Sequence, residues 1–197
     1  MIAVILLAAG ASRRMQGRDK LLENIGGAPL LHRTACAAVQ SKVSKVHVIL
    51  PPDHGNRKTA LRGLDVNIVE AKNWQKGMAA SIRAGMAALP QDCIAVIIAL
   101  ADMPEVTLLY FNRLIAGYSP QQGHEICRAV AQDGTHGHPV LFGRRFFERL
   151  SNLKGDQGAK EILKTVPGRI NFISMPGQGA IVDLDTPLAL DNWRKTQ

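Results

Sequence analysis

The sequence predicts an α/β fold with a mostly parallel sheet, and three observations carry that expectation. Short apolar runs alternate with segments of helical periodicity, the rhythm of strand–helix–strand crossovers of right-handed sense. The runs are continuously apolar rather than alternating, as strands are when both faces of a sheet are covered. Hydrophobic residues make up 46% of the 197 residues but aromatic ones only 5%, so Ala, Val, Ile and Leu must fill the core.

Taken in order, Ile2–Leu7 reads as a buried first strand. Leu30–Val39 has helical spacing and follows Pro29, a residue suited to opening a helix. Val46–Leu50 is a short strand closed by Pro51 and Pro52, and Val66–Val69 is another. Met78–Leu89 sets Met78, Ile82, Gly85, Met86 and Leu89 on one side of a helix. Ile94–Leu100 is the most continuous apolar run and the expected central strand, with a helix over Leu108–Ile115 after the turn at Pro104. The second half is less regular. Ile126–Ala131, Val140–Phe142, Ile170–Ser174 and Ala180–Val182 read as strands, and Arg144–Leu150, Ala159–Thr165 and a segment from Pro187 as helices. Neither a repeat nor a linker-like composition break divides residues 1–197, which predicts a single domain.

The formal net charge is +8. The densest cations lie in one glycine-containing loop rather than along a helix, and aromatics for base stacking are few. A small polyanion is therefore expected before a nucleic acid. Cys36, Cys93 and Cys127 are widely spaced and odd in number, which argues against a disulfide framework and for a reducing, cytoplasmic setting. The apolar start lacks a basic n-region, and no run is long enough to span a membrane.

Ligands of open α/β sheets lie beyond the carboxyl ends of the strands. That rule gathers four segments onto one rim. The first is LAAGASRRMQGRDK from Leu7 to Lys20, where small residues and the cations Arg13, Arg14, Arg18 and Lys20 follow strand one. It matches neither the dinucleotide fingerprint nor the P-loop, yet it can offer backbone N–H groups and positive charge to phosphates. Read alone, it is more commonly a basic surface turn. In ALADMPEV, Asp102 leaves the end of a strand, a position suited to Mg²⁺ held by one or two carboxylates and substrate phosphates. The same residue is able to cap the next helix or close an Asx turn. VDLDTP adds Asp183 and Asp185, which share a face if the segment is extended; the competing role for Asp185 is a helix N-cap ahead of Pro187. NWQKGMAASIRAG opens a helix at Gly77 with the Ser81 hydroxyl within its first turns, and can read a base edge or ribose. The alternative makes Trp74 and Met78 core residues and Ser81 a buried hydroxyl.

His136 and His138 stand two apart, without a third metal ligand nearby, and Pro139 holds His138 extended. No nucleophile–base–acid order is present. Phosphoryl and nucleotidyl transfer do not require one, because positioning and charge neutralisation carry them. A phosphate monoester nucleophile, with a second pKa near about 6, is already ionised at neutral pH.

LAAGASRRMQGRDK followed by LLENIGGAPLLHRT resembles the nucleotidyltransferases of the molybdenum cofactor group, the MobA-like NTP transferases. NWQKGMAASIRAG, ALADMPEVT, GHPVLFGRRFFERL, GDQGAKEIL and VDLDTP follow in that family's order, so the likeness covers nearly the whole chain. Within the group the chain is most similar to the molybdenum cofactor cytidylyltransferases. The resemblance implies a Rossmann-like, three-layer α/β/α domain with a mostly parallel mixed sheet. It implies a Mg²⁺-dependent transfer from CTP to the terminal phosphate of a molybdopterin-type cofactor, releasing pyrophosphate. Leu7, Ala8, Ala9, Gly10, Arg14 and Lys20 would hold the nucleotide, with Arg14 and Lys20 neutralising charge on the departing pyrophosphate. Asp102 would bind the metal together with Asp185 or Asp183, Gly77 and Ser81 would surround the base, and His138 would lie on the cofactor side. A molybdenum hydroxylase is the implied recipient.

Relatives that transfer guanylyl groups carry LAGG where this chain has LAAG. The Ala9 methyl would crowd a purine, a discrimination of about 1–3 kcal/mol. The chain departs from the family pattern at Gln16, which intervenes before Gly17, at Ala101, which replaces a glycine, and at Leu188 and Ala189, which replace an acidic pair. The competing functions are another nucleotidyl transfer on the same fold, or a carrier and insertion chaperone for the cofactor.

Overall fold

The computed structural model describes residues 1–156 and 158–195. Along the chain run β1 (Ile2–Leu7), the short β2 (Asn24–Ile25) and β3 (Ala28–Pro29), α1 (Leu30–Val39), β4 (Lys45–Leu50), α2 (Gly55–Ala60), β5 (Asn67–Glu70), α3 (Met78–Ala87), β6 (Ala95–Leu100) and α4 (Leu108–Gly117). The second half holds β7 (Ile126–Val130), β8 (His136–Gly143), α5 (Phe147–Ser151), α6 (Lys160–Thr165), β9 (Ile170–Ser174) and α7 (Pro187–Lys195). Seven strands form one sheet in the order β5-β4-β1-β6-β8-β7-β9, and β2 and β3 pair as a separate hairpin. β1 is parallel to β4 and β6, β4 to β5, and β7 to β9. β8 runs antiparallel to β6 and β7. The sheet is thus mostly parallel with one reversed strand.

Strand one shows why its run is continuously apolar. Successive side chains point to opposite faces, and both faces are covered. Val4 and Leu6 pack with Leu31, Ala35, Phe111 and Leu114, residues of α1 and α4. Ile5 packs with Ile82 and Met86 of α3 and Leu150 of α5. Val4, Ile5 and Leu6 are each at most 1% exposed, and burying such a side chain is worth about 1.5–3 kcal/mol. Three layers follow: helices, sheet, helices.

Predicted and observed elements agree closely through β6. The spacing did not announce the β2–β3 hairpin or α2, whose sequence GNRKTA has little apolar periodicity. β8 is longer than its apolar part, beginning at His136. Ala180–Val182 is a correction: it is a turn and not a strand. Ile181 and Val182 both donate their N–H to the Gln178 carbonyl, and the Ala180 carbonyl accepts from the His138 N–H at 2.8 Å. That local winding leaves no free edge for strand pairing. The chain passes so close to β8 here that a Cβ on Gly137 would stand 1.9 Å from the Ala180 carbonyl oxygen.

Because β8 is reversed, its first residues share a rim with the last residues of β1 and β6. The loops after β1 and β6, the entry to α3 and the segment before α7 all meet at that rim.

Candidate active site

A cavity of about 450 Å³ opens on this rim. Its floor is the run from Leu7 through Arg14, which leaves β1 and turns through Ser12 (φ 49°), Gln16 (φ 53°) and Gly17 (φ 85°). The inserted Gln16 therefore carries part of a left-handed turn. Two short 3₁₀ turns, Arg13–Met15 and Lys20–Leu22, bracket it. Met15 and Leu21 are buried and anchor the loop to the core, while Lys20 points back into the cavity.

Opposite the loop stand two carboxylates. Asp102 follows β6, and Asp185 precedes α7; the Leu184 N–H donates to the Asp102 carbonyl at 3.2 Å, which sets the two residues side by side. Lys20 donates to both carboxylates, and Arg14 also donates to Asp185. Burial works against the Lys20 ammonium, but the charge and hydrogen bonds of Asp102 and Asp185 outweigh it and raise its pKa. The second Asp102 oxygen, Oδ1, is buried without a hydrogen-bond partner among the described residues. An orphaned carboxylate oxygen of this kind normally finds a partner, and a hard divalent cation is a fitting one. Among the described residues no three His, Cys, Asp or Glu side chains converge. The described residues thus offer a divalent ion two carboxylates here, as Mg²⁺ sites completed by substrate phosphates and water do.

The roles that competed for these residues separate here. Asp102 caps no helix. Nor does Asp185: the Thr186 hydroxyl accepts from the Ala189 N–H at 3.1 Å and caps α7 itself. Asp183 is a correction to the shared-face expectation. It is exposed and does not line the cavity, although partial desolvation, then Asp185 and Asp102, raise its pKa.

The third wall is the entry to α3. Trp74, Gln75, Gly77, Met78 and Ser81 line the cavity; Met78 is 39% exposed, so it is no core residue, while Ser81 is buried but faces the space. Gly77 has φ 99°, and a Cβ there would stand 2.1 Å from Asp156 Oδ1. Only glycine lets the Gly155–Asp156 loop dock, where the Gly155 carbonyl accepts from the Ala79 N–H at 3.2 Å. Asp156 thereby lines the cavity too, a contribution that no spacing in the sequence signals.

His138 does not line this cavity. It is half-buried beyond Asp102, its Nδ1 has no partner among the described residues, and its peptide bond to Pro139 is cis. Burial first, then the nearby Arg128, hold its pKa down to about 4 against the opposing pull of Asp102, so the ring is neutral at pH 7. Arg128 was not singled out from the sequence. Its guanidinium donates to the Gly137 and His136 carbonyls, and His136 stacks on Phe172 at 4.3 Å.

A three-layer α/β fold with a basic glycine-containing loop ion-paired to two carboxylates on the wall of a rim cavity is the arrangement of a nucleotidyltransferase. Residues 4–170 match the model of the MobA-like NTP transferase domain, and the chain belongs to that family. The purine catabolism protein PucB of Bacillus subtilis is 27% identical over 202 residues, covering 97% of this chain and 95% of that protein. A probable molybdenum cofactor guanylyltransferase of Haloferax mediterranei is 30% identical over 113 residues, 57% of this chain and 52% of that one. Among solved structures, Rv0371c of Mycobacterium tuberculosis has a TM-score of 0.82 at 26% identity over 98% of each chain. A manganese complex of Rv0371c has a TM-score of 0.79 at 24% identity, covering 100% of this chain and 99% of that one. No helix among the described residues is long and apolar enough to cross a membrane.

Proposed function

We propose that this chain is a cytidylyltransferase that joins CMP to the terminal phosphate of a molybdopterin-type cofactor, acting as one domain in the cytoplasm. The observation that carries the reading is the direct pairing of Arg14 and Lys20 with Asp102 and Asp185 in the lining of one cavity, with Ala9 in its floor and 4% exposed. The probable molybdenum cofactor guanylyltransferase of Haloferax mediterranei supports the acceptor class, and the manganese complex of Rv0371c supports a divalent metal.

In this reaction a phosphate oxygen of the acceptor attacks the α-phosphorus of CTP. A new P–O–P bond forms, the bond to the bridging α–β oxygen breaks, and its electron pair leaves with pyrophosphate. The acceptor oxygen is already ionised at neutral pH, so no side chain need remove a proton, and the neutral His138 is not required as a base. Arg14 and Lys20 give charge to the triphosphate and to the leaving pyrophosphate. Asp102 and Asp185 would hold Mg²⁺, which supplies charge neutralisation on the phosphates. Gly77 and Ser81 border the base, and the Ala9 methyl narrows the floor against a purine. His138 lies on the acceptor side.

The test incubates the protein with Mg²⁺, molybdopterin cofactor and each NTP in turn while following pyrophosphate. Release with CTP alone is expected. Release with GTP alone, the nucleotide class of the Haloferax relative, would sink the Ala9 argument. Tight cofactor binding without release from any nucleotide would make the protein a carrier.

A further inference from the structure

Arg57 is the largest fully buried side chain in the protein, at 1% exposure, and nothing in the proposed reaction uses it. It comes from α2, a six-residue helix, and lies directly beneath the β1 loop. A buried guanidinium is costly unless its donors are met and its charge is paired. Here both conditions hold. Nε donates to Asp19 Oδ2 at 2.7 Å and one Nη to Asp19 Oδ1 at 2.9 Å, a two-point fork. The remaining donors reach backbone: Nη1 to the Ala8 carbonyl at 2.6 Å and Nη2 to the Gly10 carbonyl at 2.9 Å.

Asp19 extends the network back into the loop. Its Oδ1 accepts from the Leu21 N–H at 3.1 Å and from the Ser12 hydroxyl at 3.3 Å, and the Ser12 oxygen accepts from the Lys20 N–H at 3.3 Å. One side chain from outside the loop thus ties together both of its ends, including the residue that carries the Lys20 ammonium.

The two carbonyl contacts have a directional consequence. In a trans peptide the C=O of one residue and the N–H of the next point in opposite directions. With the Ala8 and Gly10 carbonyls drawn down to the guanidinium, the N–H groups of Ala9 and Ala11 point away from it, to the side where both residues line the cavity. Neither N–H makes a hydrogen bond among the described residues. Two outward N–H groups, on alternate residues and on the same side of the loop, give an anionic oxygen fixed donors.

We propose that Arg57, locked by Asp19, is a positioning residue that fixes the peptide planes of the β1 loop and so aims the Ala9 and Ala11 N–H groups at the bound nucleotide. The proposal rests on the reading of the cavity as a nucleotide site. A lysine at 57 keeps the charge, but one ammonium cannot reproduce the planar fork on Asp19 while spanning two carbonyls. A structural role alone would lower stability and affinity together, in proportion. A positioning role separates them.

The experiment compares wild type, R57K and R57M by thermal melting, by backbone ¹⁵N order parameters of residues 8–12 without ligand, and by calorimetric titration with CTP and with GTP in the presence of Mg²⁺. In R57K we expect a small loss of melting temperature, a fall of the Ala9 and Ala11 order parameters from about 0.85 towards 0.6, and nucleotide affinity weakened about tenfold. R57M should go further on all three, and if it does not fold, R57K alone decides. Order parameters at the wild-type value in R57K, or nucleotide affinity unchanged while they fall, would overturn the proposal. Failure of the wild type to bind either nucleotide would instead overturn the site reading, while the order parameters still report whether Arg57 holds the loop.

Discussion

Gly137→Ala is the sharpest perturbation of the site that touches none of its polar residues. The new Cβ would lie 1.9 Å from the Ala180 carbonyl oxygen and 2.6 Å from its carbon, against an ordinary contact of 3.4 Å or more. The two nearest atoms belong to the Ala180 backbone and the third, at 2.9 Å, is its Cβ, so no flexible side chain can give way and the segment 177–185 must move by about an ångström or more. That movement breaks the 2.8 Å hydrogen bond from the His138 N–H to Ala180, a loss of about 1 kcal/mol. Overpacking in a filled region adds about 1–3 kcal/mol. A destabilisation of about 2–4 kcal/mol lowers the melting temperature of a chain this size by roughly 5–15 °C. The same displacement acts on Asp185, because the Leu184 N–H hangs on the Asp102 carbonyl at 3.2 Å. With Asp185 as the proposed metal ligand, misplacing it by about 1 Å costs about a hundredfold in rate. Calorimetry and pyrophosphate release would measure both effects, with Gly168→Ala, where a Cβ meets nothing within 4 Å, as the control that should melt like wild type. A Gly137→Ala variant that melts within about 1 °C of wild type and turns over normally would refute the close crossing of this segment over β8 as what sets Asp185.

Three further outcomes follow from the geometry. Lys20→Met frees both carboxylates of a competing cation, so Mn²⁺ binding without nucleotide, read by electron paramagnetic resonance, should tighten about tenfold while turnover is lost; weaker binding would mean that Asp102 and Asp185 do not form the metal site. Asp102→Asn should leave the melting curve close to wild type and cut pyrophosphate release by at least about a hundredfold, and a variant that keeps its rate removes Asp102 from the chemistry. His138 binds protons less readily folded, with a pKa of about 4, than unfolded, near 6.5. The unfolded chain therefore holds more protons between those values, and stability should fall as pH drops through that window. Urea denaturation of His138→Asn across pH 4–6.5 should show a flatter dependence than wild type, and parallel curves would mean that the ring is not held neutral.

Much of the fold was legible because its cause is local. Ile2–Leu7 and Ile94–Leu100 are apolar without alternation, and that pattern follows directly from burial on both faces. The β2–β3 hairpin and α2 escaped because their stability comes from what they pack against. α2 is short and polar, and its chief buried group is an arginine. The Ala180–Val182 run failed for the converse reason: three apolar residues are compatible with a strand or a turn, and hydrogen bonds to Gln178 and His138 made it a turn.

At the site the division is similar. The sequence by itself determined which segments carry charge and small residues, and the end-of-strand rule brought the β1 loop, Asp102 and the entry to α3 to one rim. Those features depend on chain order and on side-chain type. Only the tertiary structure put Asp185 and not Asp183 in the cavity lining, since that placement turns on how the segment before α7 hangs from the Asp102 carbonyl. It alone brought Asp156 against Gly77, left His138 outside the cavity, and set Arg57 beneath the loop. Each of those contacts joins residues far apart in the chain, and its geometry depends on a backbone approach that no periodicity records.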